Sequence, residues 1–309
     1  MFTITPSRAC REFSFLRNKD GRPLHRVAEN HPSFEQEGRV ILTRQEATKG
    51  YRRFCIFQDL GSALSEISMT PPEHRHWYWR NEWGRPCALF ADVDMDASGF
   101  HNDPERQKEM AGMLMETAGE VYLRTYGRVL FDPTGSTEPL LVLTATTDAK
   151  LSLHIHMPEV LFPDLDEQKG FWKAVAACAS ESEALRERLF WRKGAEMADR
   201  FVVDLRVYRS GDFRLPFQRK HGKDNPLQPL LVRGIEESEA ALLRAACPTA
   251  LAASDDAVIL PRVLSRMHTE RAKSSGQRSK GNRLCLAEGT TAPLNKLDRK
   301  STRLNSSHT

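Results

Sequence analysis

The residues of this sequence best suited to metal chemistry are two aspartates at alternate positions of an apolar run. The run Cys87–Met95 reads CALFADVDM, and this alternation is typical of a β-strand. Side chains two residues apart share one face, with α-carbons roughly 6.5–7 Å apart. Asp92 and Asp94 can therefore both reach bridging Mg²⁺ or Mn²⁺ ions, which prefer oxygen ligands. The competing interpretation is that both are solvated charges on an edge strand. Asp96 follows on the same face near the strand end, where a solvated loop residue is the alternative.

A second candidate strand, Leu151–Met157, carries a polar face suited to phosphate. Lys150, Ser152 and His154 alternate with apolar residues and so share that face. Together they offer a point charge and neutral donors for phosphate oxygens. An ordinary amphipathic strand with its polar side in water is the alternative, and His156 is assigned no function.

A third candidate strand, Phe201–Tyr208, carries Asp204 as a single acid in an apolar and aromatic run. Basic residues interleaved with phenylalanines follow it: Arg209, Arg214, Arg219, Lys220 and Lys223. Such a cluster suits contact with phosphate or nucleic acid. The alternatives are a strand-end turn for Asp204 and a solvated loop for the basic residues.

These three motifs, in this order, resemble the archaeo-eukaryotic primase superfamily. The nearest branch is that of the eukaryotic primase-polymerases, which are related to the herpesvirus-type primases. The matching pieces run from His76 to about Asp224: HWYWRNEWGRPCALFADVDMD, DAKLSLHIHM and VVDLRVYRSGDFRLPFQRKHGKD. The resemblance implies an α/β (α+β) fold. In it a mixed α/β unit joins an RRM-like sheet, and the active site lies in the cleft between them.

The resemblance also implies residue roles. Two catalytic Mg²⁺ or Mn²⁺ ions would be ligated by Asp92, Asp94 and Asp204, although the second acid of this branch is often glutamate. The incoming triphosphate would be held by Lys150, Ser152, His154, Arg214 and Lys220. Tyr78 would lie beside the sugar of that nucleotide. Arg219 and Lys223 are alternatives within the basic run, and an expected upstream arginine has Arg52 and Arg53 as candidates.

The implied activity is template-dependent nucleotidyl transfer by a DNA primase and DNA-directed polymerase, in replication or damage tolerance. DNA template, primer and nucleoside triphosphates would be its partners, with no membrane partner. The branch usually carries a zinc module after the catalytic core. Cys247, His268 and Cys285 lack zinc-site spacing, and His308 lies in the terminal stretch predicted below to be non-native, so no zinc module is expected in this chain. Primer extension is accordingly expected more firmly than primer synthesis.

Two other classes of protein compete with this interpretation. A catalytically inactive primase-like module would bind DNA without reacting, but a binder gains nothing from three acids in a DNA-facing cleft. A D-x-D phosphatase would carry Thr or Val two residues after the second acid, where Asp96 stands.

Composition and charge bound the remaining possibilities. Of the 309 residues, 40% are hydrophobic and 28% charged, which favours a folded chain over a disordered one. No apolar run approaches the ~20 residues of a membrane-spanning helix, and Met1–Arg11 lacks the apolar core of a secretory signal. Six cysteines without a C-x-x-C pair favour an intracellular location. The sequence does not distinguish the nucleus, the mitochondrion and a viral replication site.

Charge also suggests the domain organisation. From Leu264 onward ten Lys or Arg stand against three Asp or Glu, a net charge of +7, which leaves −3 for the first 263 residues. We therefore expect an N-terminal extension over 1–50, a catalytic core over 51–263 and a disordered basic tail over 264–309. Leu297–Thr309 resembles a translated sequencing adapter, which predicts that this last stretch is non-native.

Local patterns predict the elements that carry the motifs. A helix should begin after Asp103 with Pro104 in its first turn and end at Gly127. The other expected strands are Tyr51–Phe57 and Leu140–Thr146, the latter joined to the next strand by a turn over Thr147–Lys150. The other expected helices are one that includes Ser62–Ile67, a pair Glu167–Cys178 and Glu181–Lys193 divided near Ser180, and Glu236–Cys247.

Overall fold

The computed structural model describes residues 10–14, 39–45, 52–82, 84–96, 98–130, 138–192, 199–209, 211–220, 222–249 and 257–265. The chain divides into two units, Met1–Ser274 and Ser275–Thr309, and all described residues belong to the first. This part combines antiparallel sheets with five α-helices and is an α+β arrangement, as the sequence predicts at the level of fold class. None of the described helices is long and apolar enough to cross a membrane.

The first sheet has five antiparallel strands in the order β1-β3-β2-β4-β10. Their bounds are β1 Cys10–Ser14, β2 Val40–Gln45, β3 Arg52–Phe57, β4 Trp77–Asn81 and β10 Gly211–Arg214. The central strand β2 precedes residue 51, the expected start of the core. Strand β3 agrees with the strand predicted over Tyr51–Phe57.

The second sheet has four antiparallel strands in the order β11-β6-β7-β5. Their bounds are β5 Cys87–Met95, β6 Leu140–Thr144, β7 Leu151–Phe162 and β11 Gln228–Arg233. A separate two-stranded ribbon pairs β8 Phe190–Trp191 with β9 Arg200–Phe201. Strand β5 and the turn at Thr147–Lys150 are confirmed as predicted. Strand β6 is two residues shorter than expected, and β7 continues past Met157 to Phe162.

The α-helices are α1 Leu60–Met69, α2 Pro104–Tyr126, α3 Leu165–Glu181, α4 Glu183–Leu189 and α5 Glu239–Ala245. Helix α2 begins and ends where predicted: Asp103 accepts the Arg106 amide, and Gly127 adopts a left-handed conformation with φ of 66°. The break between α3 and α4 falls at Ser182 rather than Ser180. The Ser182 hydroxyl accepts the Leu185 amide and so caps α4.

The strand predicted over Phe201–Tyr208 is wrong. Strand β9 ends at Phe201, and Leu205–Val207 is a turn of 3₁₀ helix. The Asp204 carboxylate accepts the Arg206 amide at 2.9 Å and caps this turn. Short acidic side chains compete in this way with strand hydrogen bonds, which periodicity alone does not reveal. Helix α4 is likewise shorter than expected, because the chain enters β8 after Leu189.

The main hydrophobic core lies between the four-stranded sheet and helices α2 and α3. Leu89 and Val93 of β5 are fully buried there with Leu114 of α2 and Trp172 of α3. A second cluster joins the five-stranded sheet to α1 through Phe57, Ile67 and Trp77, among others. The acids of β5 therefore project from a strand whose other face is anchored in the main core.

Candidate functional site

The three predicted acids lie together. Asp204 is brought to β5 by short antiparallel pairing: Val203 bridges Val93, and the Asp204 amide donates to the Asp92 carbonyl at 2.8 Å. Asp94 donates its amide to the Val202 carbonyl at 2.8 Å. As a result Asp92, Asp94 and Asp204 each offer an oxygen, all within 4.8 Å of one another. This cluster can bind a metal ion.

Strand β5 is an edge strand of its sheet, yet its free edge is covered. The carbonyls of Ala88 and Phe90 accept hydrogen bonds from Gln168 at 2.9 Å and Trp172 at 3.0 Å of α3. The buried Tyr208 hydroxyl also donates to the Phe90 carbonyl, at 2.8 Å. The side chains of Asp92 and Asp94 are only 17% and 25% exposed. This environment differs from the solvated edge strand considered as the alternative interpretation.

The acids strongly influence one another. Burial raises the pKa of Asp92 to about 7, and the negative charge of Asp94 adds to that rise. Burial also works to raise the pKa of Asp204, but hydrogen bonds from Arg206 outweigh it and hold this pKa below its usual value. Three carboxylates held this closely therefore need positive charge nearby.

The donor set fits Mg²⁺ or Mn²⁺. Hard divalent cations take oxygen ligands, and three carboxylates from two segments supply them. The Asp94 Oδ1 atom is buried and has no hydrogen-bond partner in the described part of the chain. An unpaired buried carboxylate oxygen is costly, and coordination to a cation would satisfy it.

Two cations already contact the acids. The Lys150 ammonium lies 2.8 Å from Asp94 Oδ2, and the Arg206 guanidinium lies 2.7 Å from Asp204 Oδ2. Lys150, which the sequence predicts to hold the triphosphate, thus lies beside the acids and pairs with one of them. Arg206 was not predicted as a site residue, because its position depends on the turn that replaces the expected strand.

The predicted phosphate face of β7 lies directly beside the acids. In the β5–β7 register His154 pairs with Asp92, and Ser152 pairs with Asp94. His154 Nε2 is 3.5 Å from Asp92 Oδ1. Burial holds the pKa of His154 well below its usual value, with the Arg214 charge acting in the same direction. The imidazole is therefore neutral near pH 7, and its contact with Asp92 is not an ion pair.

A cavity of about 350 Å³ opens where the two sheets meet. Its walls combine predicted site residues with others: Gln45, Tyr78, Asp92, His154, Val207, Asp212, Phe213, Arg214 and Lys220. Tyr78 and Arg214 are paired neighbours on β4 and β10, whereas Asp92 and His154 come from the other sheet. The structure thus places an acid and candidate phosphate-binding groups around one space.

The two basic residues of the cavity wall, Arg214 and Lys220, differ sharply in burial. Arg214 is 4% exposed, and its Nη1 donates to the Asn225 carbonyl at 3.3 Å. Its Nε atom is buried without a partner among the described residues. Lys220 is more exposed, and its pKa is lowered by desolvation and then by the positive charge of Arg214. A buried guanidinium with an unsatisfied donor is suited to bind an anion.

The alternative basic residues lie outside the cavity wall. Arg219 is paired with Asp224 at 2.7 Å, and Lys223 is exposed. Arg52 and Arg53 belong to β3, but their side chains are outside the described residues.

The residues downstream of the core that could have belonged to a zinc module are not brought together among the described residues. Cys247 is fully buried and donates its thiol to the Leu243 carbonyl at 3.1 Å. His268 and Cys285 are outside the described residues.

Sequence reasoning missed two residues of the cavity wall that contact predicted ones. Gln45 Oε1 accepts the Tyr78 hydroxyl at 3.0 Å. Phe213 stacks on His154, with ring centroids 4.4 Å apart. Gln45 had no local signal, because its position follows from long-range strand pairing. Phe213 was visible only as an aromatic residue within the basic run.

No protein-family model matches the chain, and no curated protein matches it.

Proposed function

We propose that this chain is the catalytic core of a DNA primase-polymerase that performs template-directed nucleotidyl transfer. The observation that carries the proposal is the convergence of Asp92, Asp94 and Asp204 within 4.8 Å of one another, with Asp92 on the wall of a cavity that Arg214 and Lys220 also line. Acids for divalent cations and cations for phosphates are the two requirements of phosphoryl-transfer sites.

The three aspartates would hold Mg²⁺ or Mn²⁺. Bound there, the ions would neutralise charge on the triphosphate and promote ionisation of the attacking 3′-hydroxyl. The protein contributes positioning and electrostatics, since nucleotidyl transfer needs no covalent enzyme intermediate.

The cavity wall supplies the contacts to the nucleotide. Arg214 would bind phosphate oxygens through its fork of donors, and Lys220 would add a mobile point charge. The neutral His154 imidazole would donate a single N–H to a phosphate oxygen. A volume of about 350 Å³ lies within the usual range of small-molecule sites. The Tyr78 ring, fixed by Gln45, forms the wall on which the sugar would rest.

An inactive DNA-binding module is the competing function. In that case the three acids would oppose binding, because each repels the phosphate backbone of DNA. Burial, and then the charge of Asp94, raise the pKa of Asp92 to about 7, so keeping this acid ionised costs the folded protein free energy. A module that only binds DNA would gain nothing from this cost, whereas a cation site needs the acids. The cation site is therefore the better explanation of the cluster.

Primer extension tests the proposal. A labelled primer–template is incubated with deoxynucleotides and Mg²⁺ or Mn²⁺, using wild type and the double variant Asp92→Asn plus Asp94→Asn. We expect extension by wild type alone. Asp199→Asn is the matched control, because Asp199 is an ion-paired acid outside the cluster. If folded wild type binds DNA but neither protein extends the primer, the binding-module function is supported instead.

A further inference from the structure

Arg206 donates hydrogen bonds to both carboxylate oxygens of Asp204, the third acid of the cluster. Its Nε donates to Asp204 Oδ1 at 2.9 Å and its Nη2 to Oδ2 at 2.7 Å. The Arg206 backbone amide donates to Oδ1 as well, at 2.9 Å. Both carboxylate oxygens are therefore engaged by one residue, in the paired geometry of a guanidinium fork on a carboxylate.

The two partners differ in exposure. The Arg206 side chain is 80% exposed, whereas that of Asp204 is 17% exposed. An ion pair with such an exposed member contributes little free energy, because water readily solvates the released guanidinium. Asp204 cannot leave in the same way, since its amide is bound to β5. Arg206 is therefore the partner that can move.

We propose that Arg206 and a divalent cation compete for the Asp204 carboxylate, and that the released guanidinium then binds a phosphate of the nucleotide. The inference rests on the proposed function, because it concerns the same acid cluster. Arg206 would thus neutralise the acids before the cation binds, and it would bind the nucleotide phosphate afterwards.

Electrostatics supports the competition. The guanidinium lies within hydrogen-bond distance of an oxygen that the cluster would offer to the cation, so the two positive charges would repel each other strongly at that distance. Asp92 and Asp94 also attract Arg206, which shows that its charge acts on the whole cluster. Removing this charge should therefore make the cluster a better cation site.

Position supports the second step. Val207, the next residue, lines the cavity beside Asp92 and Arg214. A guanidinium released from Asp204 stays tethered at the edge of this cavity. Its fork of donors fits phosphate oxygens as well as it fits a carboxylate.

Titration calorimetry with Mn²⁺ alone tests the release. We expect Arg206→Ala to lower the dissociation constant for Mn²⁺ about three- to tenfold relative to wild type. Arg206→Gln should give the same direction while keeping a polar side chain of similar length. Arg192→Ala is the matched control, because Arg192 is also largely exposed and pairs with the less exposed Asp199 at 2.7 Å, outside the cluster. An unchanged or weaker Mn²⁺ affinity in both Arg206 variants overturns the proposal.

A second titration tests the capture. At saturating Mn²⁺, we expect the dissociation constant for deoxythymidine triphosphate to rise about three- to tenfold in Arg206→Ala. An affinity equal to that of wild type overturns this step. Asp204→Asn separates the two hypotheses: if it binds Mn²⁺ as well as wild type, the acid cluster itself is not the cation site and the proposed function fails. If Asp204→Asn loses Mn²⁺ while Arg206→Ala is unchanged, only the competition fails.

Discussion

The imidazole of His154 lies almost parallel to the phenyl ring of Phe213, with centroids 4.4 Å apart and an interplanar angle of 27°. His154 belongs to the four-stranded sheet and Phe213 to the five-stranded sheet. Phe213 also packs on Phe90 of β5 at 4.7 Å. One buried aromatic ring therefore connects the strand that carries two of the acids, the neutral histidine and the strand that carries Arg214.

Phe213→Leu keeps this position apolar but removes the aromatic ring that contacts His154 and Phe90 of the other sheet. We expect the unfolding free energy to fall by about 1–2 kcal/mol. The KM for nucleotide should rise about three- to tenfold, because His154 loses the surface that fixes its ring. Steady-state primer extension and thermal denaturation measure the two effects.

Phe190→Leu is the control for this change. Phe190 packs on Phe201 at 5.3 Å and does not line the cavity. Phe190 is only partly buried, so Phe190→Leu should lose less stability than Phe213→Leu, and its KM should not change. If Phe213→Leu also lowers stability without a change in KM, Phe213 has a structural role alone.

The raised pKa of Asp92 gives a stability prediction with a definite sign. Its ordinary value is 3.8, and in the folded protein it is about 7. The folded state then binds the proton more tightly, so the stability from protonated Asp92 is present at low pH and is lost as pH rises towards and past 7. Asp92→Asn should therefore be more stable than wild type at pH 8 without metal, by on the order of 2–4 kcal/mol.

Thermal denaturation in chelator at pH 5 and pH 8 measures this difference. The advantage of Asp92→Asn should grow with pH, and added Mn²⁺ should reduce it by stabilising wild type alone. A variant that is less stable than wild type at pH 8 in chelator would contradict the electrostatic description of the cluster.

Arg214 should be sensitive to a substitution that keeps its charge. Arg214→Lys loses the fork of donors, so the KM for nucleotide should rise about 10- to 100-fold. Arg219→Lys should leave KM within about twofold, because Arg219 pairs with Asp224 outside the cavity wall. A reversed order would assign the phosphate to the alternative alignment of the basic run.

The parts of this site that could be predicted are those encoded by local periodicity and local capping. Strand β5 has the bounds that alternation predicts, and helix α2 begins after Asp103 and ends at Gly127 as its capping residues predict. Long-range pairing was beyond such reasoning. Gln45 reaches Tyr78 because β2 pairs with β4, and no pattern near Gln45 encodes that register.

Asp204 shows the limit most clearly. Its inclusion with the other acids was predicted through a family resemblance, but its local structure was predicted wrongly. The residue both caps a turn and pairs with β5 through its backbone. An alternating apolar sequence is equally compatible with a long strand, so the turn could be identified only from the contacts of the folded chain.

The buried carboxylate of Glu167 fixes the last described segment of the chain. It accepts backbone amides from Val263 at 3.0 Å, Leu264 at 2.8 Å and Ser265 at 2.8 Å. The fit is close, because a β-carbon on Gly170 would lie 2.9 Å from Leu264 Cβ. The ionised carboxylate thus holds the segment against α3.

Glu167 also accepts the Tyr126 hydroxyl at 2.9 Å, so its carboxylate serves four donors. Glu167→Gln should lower the unfolding free energy by about 2–4 kcal/mol, because an amide offers those donors only one acceptor oxygen. Burial works to raise the pKa of Glu167, but these amides outweigh it and hold the pKa below 4.5. The ionised form therefore stabilises the protein above that value, and this stability is lost as pH falls through the lower pKa. Urea unfolding at pH 7 and pH 3 should show a smaller difference between wild type and variant at the lower pH. Glu120→Gln, an exposed acid paired with Arg124, is the control. An equal loss at pH 7 in both variants would contradict the anchoring role of Glu167.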